Sequence, residues 1–490
     1  MPTPDTGLTD PAATGPGPPD PAAPATGAAP AQPSAEAPVS QRRLAVGVCM
    51  TVVAIAFETI AVATAMPVAA QELDGLRYYA WAFSVILIGS LFATVVGGRL
   101  ADRIGPAKPF LVGLAVFAAG LVVAGTATTM TQLIAGRLVQ GLGSGALNVS
   151  IFVCVAQVFA AEDRPRMFSY ISTAWVLPAF VGPPVSAWLT ARLSWHWVFF
   201  AVLPLVLLGG GMVLPTMRRL MRAFRPVTPE PGARPPAPLW SALVVALGAA
   251  ALLVAGQRLD LLAAGLLVAG LAALLLGLPR LMPPGFLRLP RGISQVIMVR
   301  GLLPGAFFGG EAFIPLMLVQ QRGVALVLAG AMLTTGAVGW TTGSWLQSRP
   351  WLTLRRDRLI TLGCLSVALG LVGVGVVALA PGLPFWLVGV SWVFAGFGMG
   401  LSVSSTSLGV MTLSSTAEQG RNASSLNLFD ALGSSVFVGV AGSIFAAVPA
   451  AAGHRGTTFG ALMLSMAVVA GLAALTSLRI GAVRNELAPR

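Results

Sequence analysis

The chain has 490 residues, of which 56% are hydrophobic and only 10% charged, against about 25% charged in an ordinary soluble protein. A soluble fold of this size would lack the polar side chains to cover its surface, and the apolar runs are too long and unbroken for the alternating strands of a membrane barrel. The formal charge of +13 does not indicate nucleic acid, because the bases sit between apolar runs instead of on one face of a soluble domain.

Residues 1–41 are rich in Pro, Ala and Gly, with Asp5, Asp10, Asp20 and Glu36 and no base before Arg42. Such a segment cannot bury enough apolar surface to offset its ordering entropy and is expected to be a disordered tail. It lacks the basic and apolar regions of a cleaved signal, so the run from Leu44 is expected to stay as a membrane helix. Runs near the 20 or so residues needed to span a bilayer fall at 44–67, 79–99, 109–127, 131–158, 167–190 and 196–215, an N-terminal six-helix bundle over 42–215. An Arg- and Pro-rich linker, 216–238, leads to the short runs 239–256 and 261–278. These read as an inserted hairpin over 239–278, since one helix through both would be about 60 Å long. After a linker at 279–297 come 298–320, 324–347, 359–380, 383–411, 422–446 and 456–478, a C-terminal six-helix bundle over 298–478, and then a tail at 479–490. The expected fold class is an all-α integral membrane protein: fourteen transmembrane helices, two six-helix bundles in pseudo-twofold arrangement plus two inserted helices.

With the N-terminus in the cytoplasm, 24 of the 30 Lys and Arg residues fall on the inner side. Arg77, Arg192, Arg258, Arg322 and Arg455 fall outside, and Arg137 lies within a helix. This is the positive-inside asymmetry, and an even helix count also puts both termini on one side. A multi-pass protein of the cell membrane with both termini cytoplasmic is expected.

Polar residues within the runs are the candidates for function, because an ionisable group at bilayer depth is costly and needs a partner. Glu58 stands in the first run, in Phe57-Glu58-Thr59-Ile60-Ala61-Val62-Ala63-Thr64-Ala65-Met66-Pro67. Burial and a nearby cation act on such a carboxyl in opposite senses, which suits it to proton exchange. Gly98-Arg99-Leu100-Ala101-Asp102-Arg103-Ile104-Gly105 is expected in the loop after the second run, with Gly98 and Gly105 permitting a tight turn and Asp102 and Arg103 forming a surface charge pair. In the fourth run, Leu133-Ile134-Ala135-Gly136-Arg137-Leu138-Val139-Gln140-Gly141-Leu142-Gly143 places Arg137 about 9 Å from the outer helix end. Glu58 lies about 13 Å from the outer end of its own helix, so the two side chains can meet; otherwise Arg137 snorkels to the headgroups.

The fifth run holds Pro178-Ala179-Phe180-Val181-Gly182-Pro183-Pro184-Val185-Ser186-Ala187, which packs closely and bends, with or without a further role. Trp195-His196-Trp197 is expected to be an interfacial aromatic belt. In the ninth run, Gly310-Glu311-Ala312 followed by Pro315 is weakly similar to the Glu58 stretch, and Glu311 lies at nearly the same depth. Asp430, in the thirteenth run, lies deeper toward the cytoplasm. Each of these acids is either a second working carboxyl or a structural hydrogen-bonded one. Cys49, Cys154 and Cys364 sit in separate apolar runs and read as core fillers, with no metal-site spacing.

These stretches resemble the signatures of the major facilitator superfamily. Gly98 to Gly105 is similar to its loop signature G-x-L-A-D-R-x-G-R-K, departing where Pro106-Ala107-Lys108 replaces the basic pair. The fourth-run stretch is similar to L-x-x-x-R-x-x-Q-G-x-G through Arg137, Gln140, Gly141 and Gly143. The fifth-run stretch partly resembles the antiporter motif G-x-x-x-G-P-x-x-G-G, at Gly182 and Pro183. The first resembles the D-x-T-x-x-x-x-A-L-P signature of the 14-helix drug:proton antiporters, with Glu58 at the Asp position.

The resemblance implies a transporter instead of an enzyme, working by alternating access and exporting lipophilic or cationic small molecules against protons. Glu58, Arg137, Glu311 and Asp430 would form the proton-coupling set. Asp102 would reach the N-terminal end of helix 13, Gly420-Arg421-Asn422-Ala423-Ser424, in the outward-closed bundle and hold the cytoplasmic gate. The alternative is a proton-coupled exporter or symporter of an endogenous metabolite or lipid. The implied partners are a small-molecule substrate, protons and the bilayer, for a monomer with no cofactor, no metal and no nucleic acid. A membrane enzyme would need clustered His, Cys or acids, whereas His196 and His454 stand apart, and there is no nucleotide-binding G-x-x-x-x-G-K-[ST].

Overall fold

The computed structural model describes residues 41–160, 162–224, 238–258, 260–349, 351–415, 418–447 and 455–483. Residues 1–40, 225–237, His454 and 484–490 lie outside the described residues, so the expected tail and the middle of the first linker are not assessed. The described residues are all-helical, without strands. Seven helices form the first bundle: α1 Gln41–Glu72, α2 Trp81–Ile104, α3 Ala107–Gly125, α4 Met130–Val158, α5 Arg164–Arg192, α6 His196–Phe200 and α7 Leu203–Ala223. A hairpin follows, α8 Leu239–Gly256 and α9 Leu261–Leu281. The second bundle is α10 Ile293–Glu311, α11 Ile314–Arg322, α12 Leu326–Gln347, α13 Arg356–Leu379, α14 Leu387–Leu413, α15 Gln419–Ala447 and α16 Arg455–Ser477.

α6 with α7, and α10 with α11, each make one span, because Pro204 and Pro315 stand at the start of the second piece, where a missing N–H is tolerated. Among the described residues, fourteen helices are thus long and apolar enough to cross a membrane. α1 begins and α16 ends on one face, called here the arginine-rich face.

The same packing occurs twice. α4 lies against α2 and α3 as α14 lies against α12 and α13, and α1 against α5 and α7 as α10 against α15 and α16. Glycines set the close approaches. A methyl at Gly141 would strike the Ile86 carbonyl of α2, one at Gly145 the Ser90 carbonyl, and one at Gly143 the backbone of Phe117 in α3. In the second bundle Gly396, Gly400 and Gly398 of α14 stand in the same relation to Gly336 and Trp340 of α12 and Gly363 of α13. With no hydrophobic drive between helices in lipid, such small-residue contacts carry the association.

The α8–α9 hairpin packs on α2 and α15, so it touches both bundles. Ser425 donates to the Leu281 carbonyl at 2.8 Å, and Arg280 lies 4.5 Å from the Trp240 ring centroid. Its turn is closed by Asp260, which accepts from the Ala263 N–H at 2.9 Å and from Arg258 at 2.7 Å. The Arg258 hydrogen bond, with that N–H, holds the Asp260 carboxyl below the usual carboxylate range.

Several boundaries depart from the expectation. The stretch Gly98 to Ile104 is not a loop, since α2 continues through it and only Gly105 and Pro106 turn. Gly105 adopts φ 83°, a left-handed value that disfavours side chains, whereas Gly98 is an ordinary helical residue. α7 runs on to Ala223, which puts Arg218, Arg219 and Arg222 on a helix instead of in the linker. α10 begins at Ile293, inside the expected linker, because Ser294 and Gln295 are buried and Gln295 Nε2 donates to the Leu289 carbonyl at 2.6 Å. Arg300, counted above with the inner-side bases, therefore lies about 10 Å inside α10. Trp195 does not form part of an exposed aromatic belt. It is fully buried, stacked on His196 at 3.7 Å, and its Nε1 donates to Glu72 Oε2 at 2.7 Å; Trp197 is the exposed one.

Candidate functional site

Glu58 and Arg137 form an ion pair, with side-chain exposures of 0% and 2%. The frame explains how they meet. Close approach at Gly141 brings the start of α4 against α2, one turn from Ala82, and Arg137 Nε donates to the Ala82 carbonyl at 2.8 Å. Arg137 Nη1 donates to Gln140 Oε1 at 3.0 Å, so the Gln of the fourth-run stretch steadies its Arg from one turn away. The guanidinium is thus held from three sides, as a charge sealed from water requires. Gln140 Nε2 has no hydrogen-bond partner among the described residues, which leaves a spare donor beside the pair.

The structure does not bring the other two acids to Glu58. Asp430 of α15 pairs with Arg300 of α10, Nε to Oδ2 at 2.9 Å. Arg300 Nη1 also donates to the Val403 carbonyl at 2.8 Å and to Thr406 Oγ1 at 3.1 Å, both on α14. This second pair is less enclosed, with side-chain exposures of 11% and 26%. Sequence reasoning missed Arg300 through the misplaced helix start; the apolar residues Val296 to Val299 ahead of it were the available signal.

Glu311 closes α10, half-buried, immediately before the break at Ala312 and Phe313. At that break Tyr79, two residues ahead of α2, donates its hydroxyl to the Ala312 carbonyl at 2.7 Å, and its ring packs 5.2 Å from that of Phe313. Tyr79 is 1% exposed and joins the two bundles near the face opposite the arginines. On that same side the Pro183 carbonyl of α5 lies against Gly330 of α12, and Ser186 donates to the Ala61 carbonyl at 2.6 Å. Gly182 rests on Ile60 and Ala61 of α1. The fifth-run residues thus serve helix contacts.

At the arginine-rich face the end of the α8–α9 hairpin, with Pro279, Arg280 and Met282, also lines the space between α2 and α15. Gly98, Arg99 and Asp102 of α2 look across a cleft of about 760 Å³ toward Gly420, Arg421 and Ser424 of α15. No hydrogen bond or ion pair joins Asp102 to that helix end among the described residues, so the expected gate contact is not made here. Arg103 lies beside it in the last turn of α2. Cys154 and Cys364 are buried and Cys49 is half-buried, and among the described residues no cluster of His, Cys, Asp or Glu is arranged to hold a metal.

A sequence model of the Major Facilitator Superfamily matches residues 46–438. The chain belongs to the major facilitator superfamily. That family is one of membrane transporters, and the fourteen candidate spans among the described residues agree with membership. An uncharacterized MFS-type transporter of Mycobacterium tuberculosis is 27% identical over 404 residues, covering 80% of this chain and 58% of that protein. Multidrug resistance protein 3 of Bacillus subtilis is 31% identical over 166 residues, 34% of this chain and 32% of that one. The chain therefore spans well under two thirds of these relatives. In fold it is similar to a POT family transporter solved with a thioalcohol-conjugated peptide, at a TM-score of 0.67 and 16% identity, covering 90% of this chain and 97% of that one. It is also similar to a human organic anion transporter, at a TM-score of 0.57 and 14% identity, covering 90% and 100%. The Tyr79 contact joins the two bundles, whereas the Glu58–Arg137 pair lies among α1, α2 and α4 of the first.

Proposed function

We propose that this superfamily member is a proton-coupled exporter of lipophilic or cationic small molecules, working by alternating access with its arginine-rich face and both termini in the cytoplasm of a plasma-membrane protein. The observation that carries the reading is the sealed Glu58–Arg137 pair. A proton on Glu58 and the ion pair with Arg137 exclude each other. Protonation frees Arg137 from α1 while Ala82 and Gln140 keep it on its own side. Any difference in pair geometry between the two access states then becomes a difference in proton affinity, and the proton gradient biases the states.

The contacts near Tyr79 and Pro183, with the cleft at Asp102, support reading the structure as closed at the outer face and open inward. Its reversal would break the Tyr79–Ala312 hydrogen bond and bring Asp102 to Gly420. Glu311, one residue from that hydrogen bond, is placed to report protonation to the outer closure. Asp430, paired with Arg300, would do so in the inner half. The few charges within the bundles suit an uncharged or cationic cargo, and the similarity to multidrug proteins over a third of the chain points the same way.

The test is transport of ethidium in proteoliposomes under an imposed pH gradient, with and without a protonophore. Wild type is expected to move ethidium only while the gradient stands, and Glu58→Gln to lose gradient-driven movement while still binding ethidium. Full gradient-driven transport by Glu58→Gln removes the mechanism.

A further inference from the structure

We propose that the groove between the arginine-side halves of α1 and α5 binds one anionic membrane phospholipid, with its phosphate at Arg42 and Arg166 and an acyl chain along the apolar wall. The groove has a sequence cause. Pro178, Pro183 and Pro184 interrupt the hydrogen-bond ladder of α5, and such residues bend a helix. Near them α5 rests on α1, through Gly182 against Ile60 and Ser186 on the Ala61 carbonyl. Toward the arginine-rich face the helices part, leaving about 690 Å³ between them. α7, which packs on α1 and α3 at the perimeter of the bundle, contributes Leu205 to the wall. The groove therefore faces the surroundings of the bundle and is separate from the Glu58–Arg137 site.

Its wall and mouth differ in chemistry. Val46 and Met50 of α1 and Leu177 of α5 line the wall, with Val46 42% and Leu177 60% exposed. At the mouth stand Arg42 and Arg166, from opposite helices, and one carboxylate, Asp163. Two cations against one anion leave the mouth positive. Arg166 is held in place by Tyr170, Nε to Oη at 2.7 Å with the guanidinium 5.7 Å from the ring centroid.

From Gln41 to Val53 the groove follows α1 for about 18 Å. That matches one leaflet of hydrocarbon, about 15 Å, with the start of the headgroup layer. A free anion would use the mouth and leave the wall wet, and an uncharged lipid would use the wall and leave the arginines without an anion. An anionic phospholipid satisfies both, in keeping with the preference of basic pockets between membrane helices for acidic headgroups. Bound there, it would prop apart the lower halves of α1 and α5 and bear on the helix that carries Glu58.

The full chain, in detergent, would be titrated with phosphatidylglycerol or phosphatidylcholine and read by native mass spectrometry. One phosphatidylglycerol is expected to stay bound with at least a tenfold preference over phosphatidylcholine. Arg42→Gln with Arg166→Gln should abolish the preference, and Arg42→Lys with Arg166→Lys should restore part of it. Val46→Trp, which fills the wall without changing charge, should weaken binding of either lipid. Cys49 lines the same groove and is half-buried, while Cys154 and Cys364 are buried, so maleimide labelling of wild-type Cys49 gives a reading that needs no variant. It should slow with phosphatidylglycerol and be unchanged by inorganic phosphate. Equal retention of the two lipids, charge variants that bind as wild type does, or protection of Cys49 by phosphate alone would each overturn the proposal.

Discussion

In the first bundle α4 carries Arg137 four residues ahead of Gly141; in the second, α14 carries Trp392 four residues ahead of Gly396, on the same Gly-x-Gly-x-Gly frame. The partners diverge with them. α1 brings Glu58 to Arg137, whereas α10 brings Phe307 to Trp392, rings stacked 4.6 Å apart and inclined by 22°. One frame therefore holds a buried charge pair on one side and an apolar ring stack on the other. Charge in the second bundle is moved to Arg300 and Asp430, nearer the arginine-rich face and less enclosed. Duplicated backbone packing does not oblige duplicated chemistry: a sealed ion pair stands in one half and a ring stack in the other.

Four measurements can break or sharpen that contrast, each read as unfolding in detergent by intrinsic tryptophan fluorescence. The largest effects are expected from emptying the two centres. Arg137→Met strands a buried carboxylate and should cost about 3–5 kcal/mol, much of it recovered in the Glu58→Gln/Arg137→Met double variant. Phe307→Ala leaves a cavity against Trp392 and should cost a similar ~3–5 kcal/mol, but no second substitution at Glu58 should recover it. Recovery in both or in neither would erase the distinction between the halves. Next come the shared glycines. Gly141→Ala and Gly396→Ala each drive a methyl into a facing carbonyl and should cost about 1–3 kcal/mol in step with each other. A large effect in only one bundle would mean that the frame is not equivalent. Asp430→Asn leaves Arg300 with Val403 and Thr406 and should cost only ~1–2 kcal/mol, less than Arg137→Met. The smallest is Gly98→Ala. Its methyl would meet only Val149, at 3.7 Å, and removing a helical glycine should stabilise by about 0.4–1 kcal/mol; a loss would restore the turn that the sequence suggested there.

The spans were legible because an unbroken apolar run has few alternatives, and the ends of α8 and the start of α9 fall where the sequence put them. Depth allowed the contact between Glu58 and Arg137 but left open that Arg137 reached the headgroups; the helix packing that brings Arg137 onto Ala82 decides it. What depth could not supply was the true start of α10. Ser294 and Gln295 look like linker residues, and only their burial shows otherwise. The burial of Trp195 was not legible because composition says that aromatics favour the interface without saying which face of a helix a given one is on. The likeness of α4 to α14 was hidden for a related reason: Arg137 and Trp392 share no chemistry, and the signal lay in the glycines beside them. Comparing Glu58 with Glu311 by charge looked in the wrong place, since Phe307, four residues earlier, faces the α14 centre.

α1 has 32 residues, about 48 Å of helix, against a hydrocarbon thickness of about 30 Å. Its far end is moored where Trp195 grips Glu72, and Glu58 lies roughly 26 Å from the other end. The helix is thus a long beam fixed at its tip. Leaning by about 10° about that fixed tip, it would sweep Gln41 through about 8 Å, so a small tilt at one end is magnified into displacement at the other.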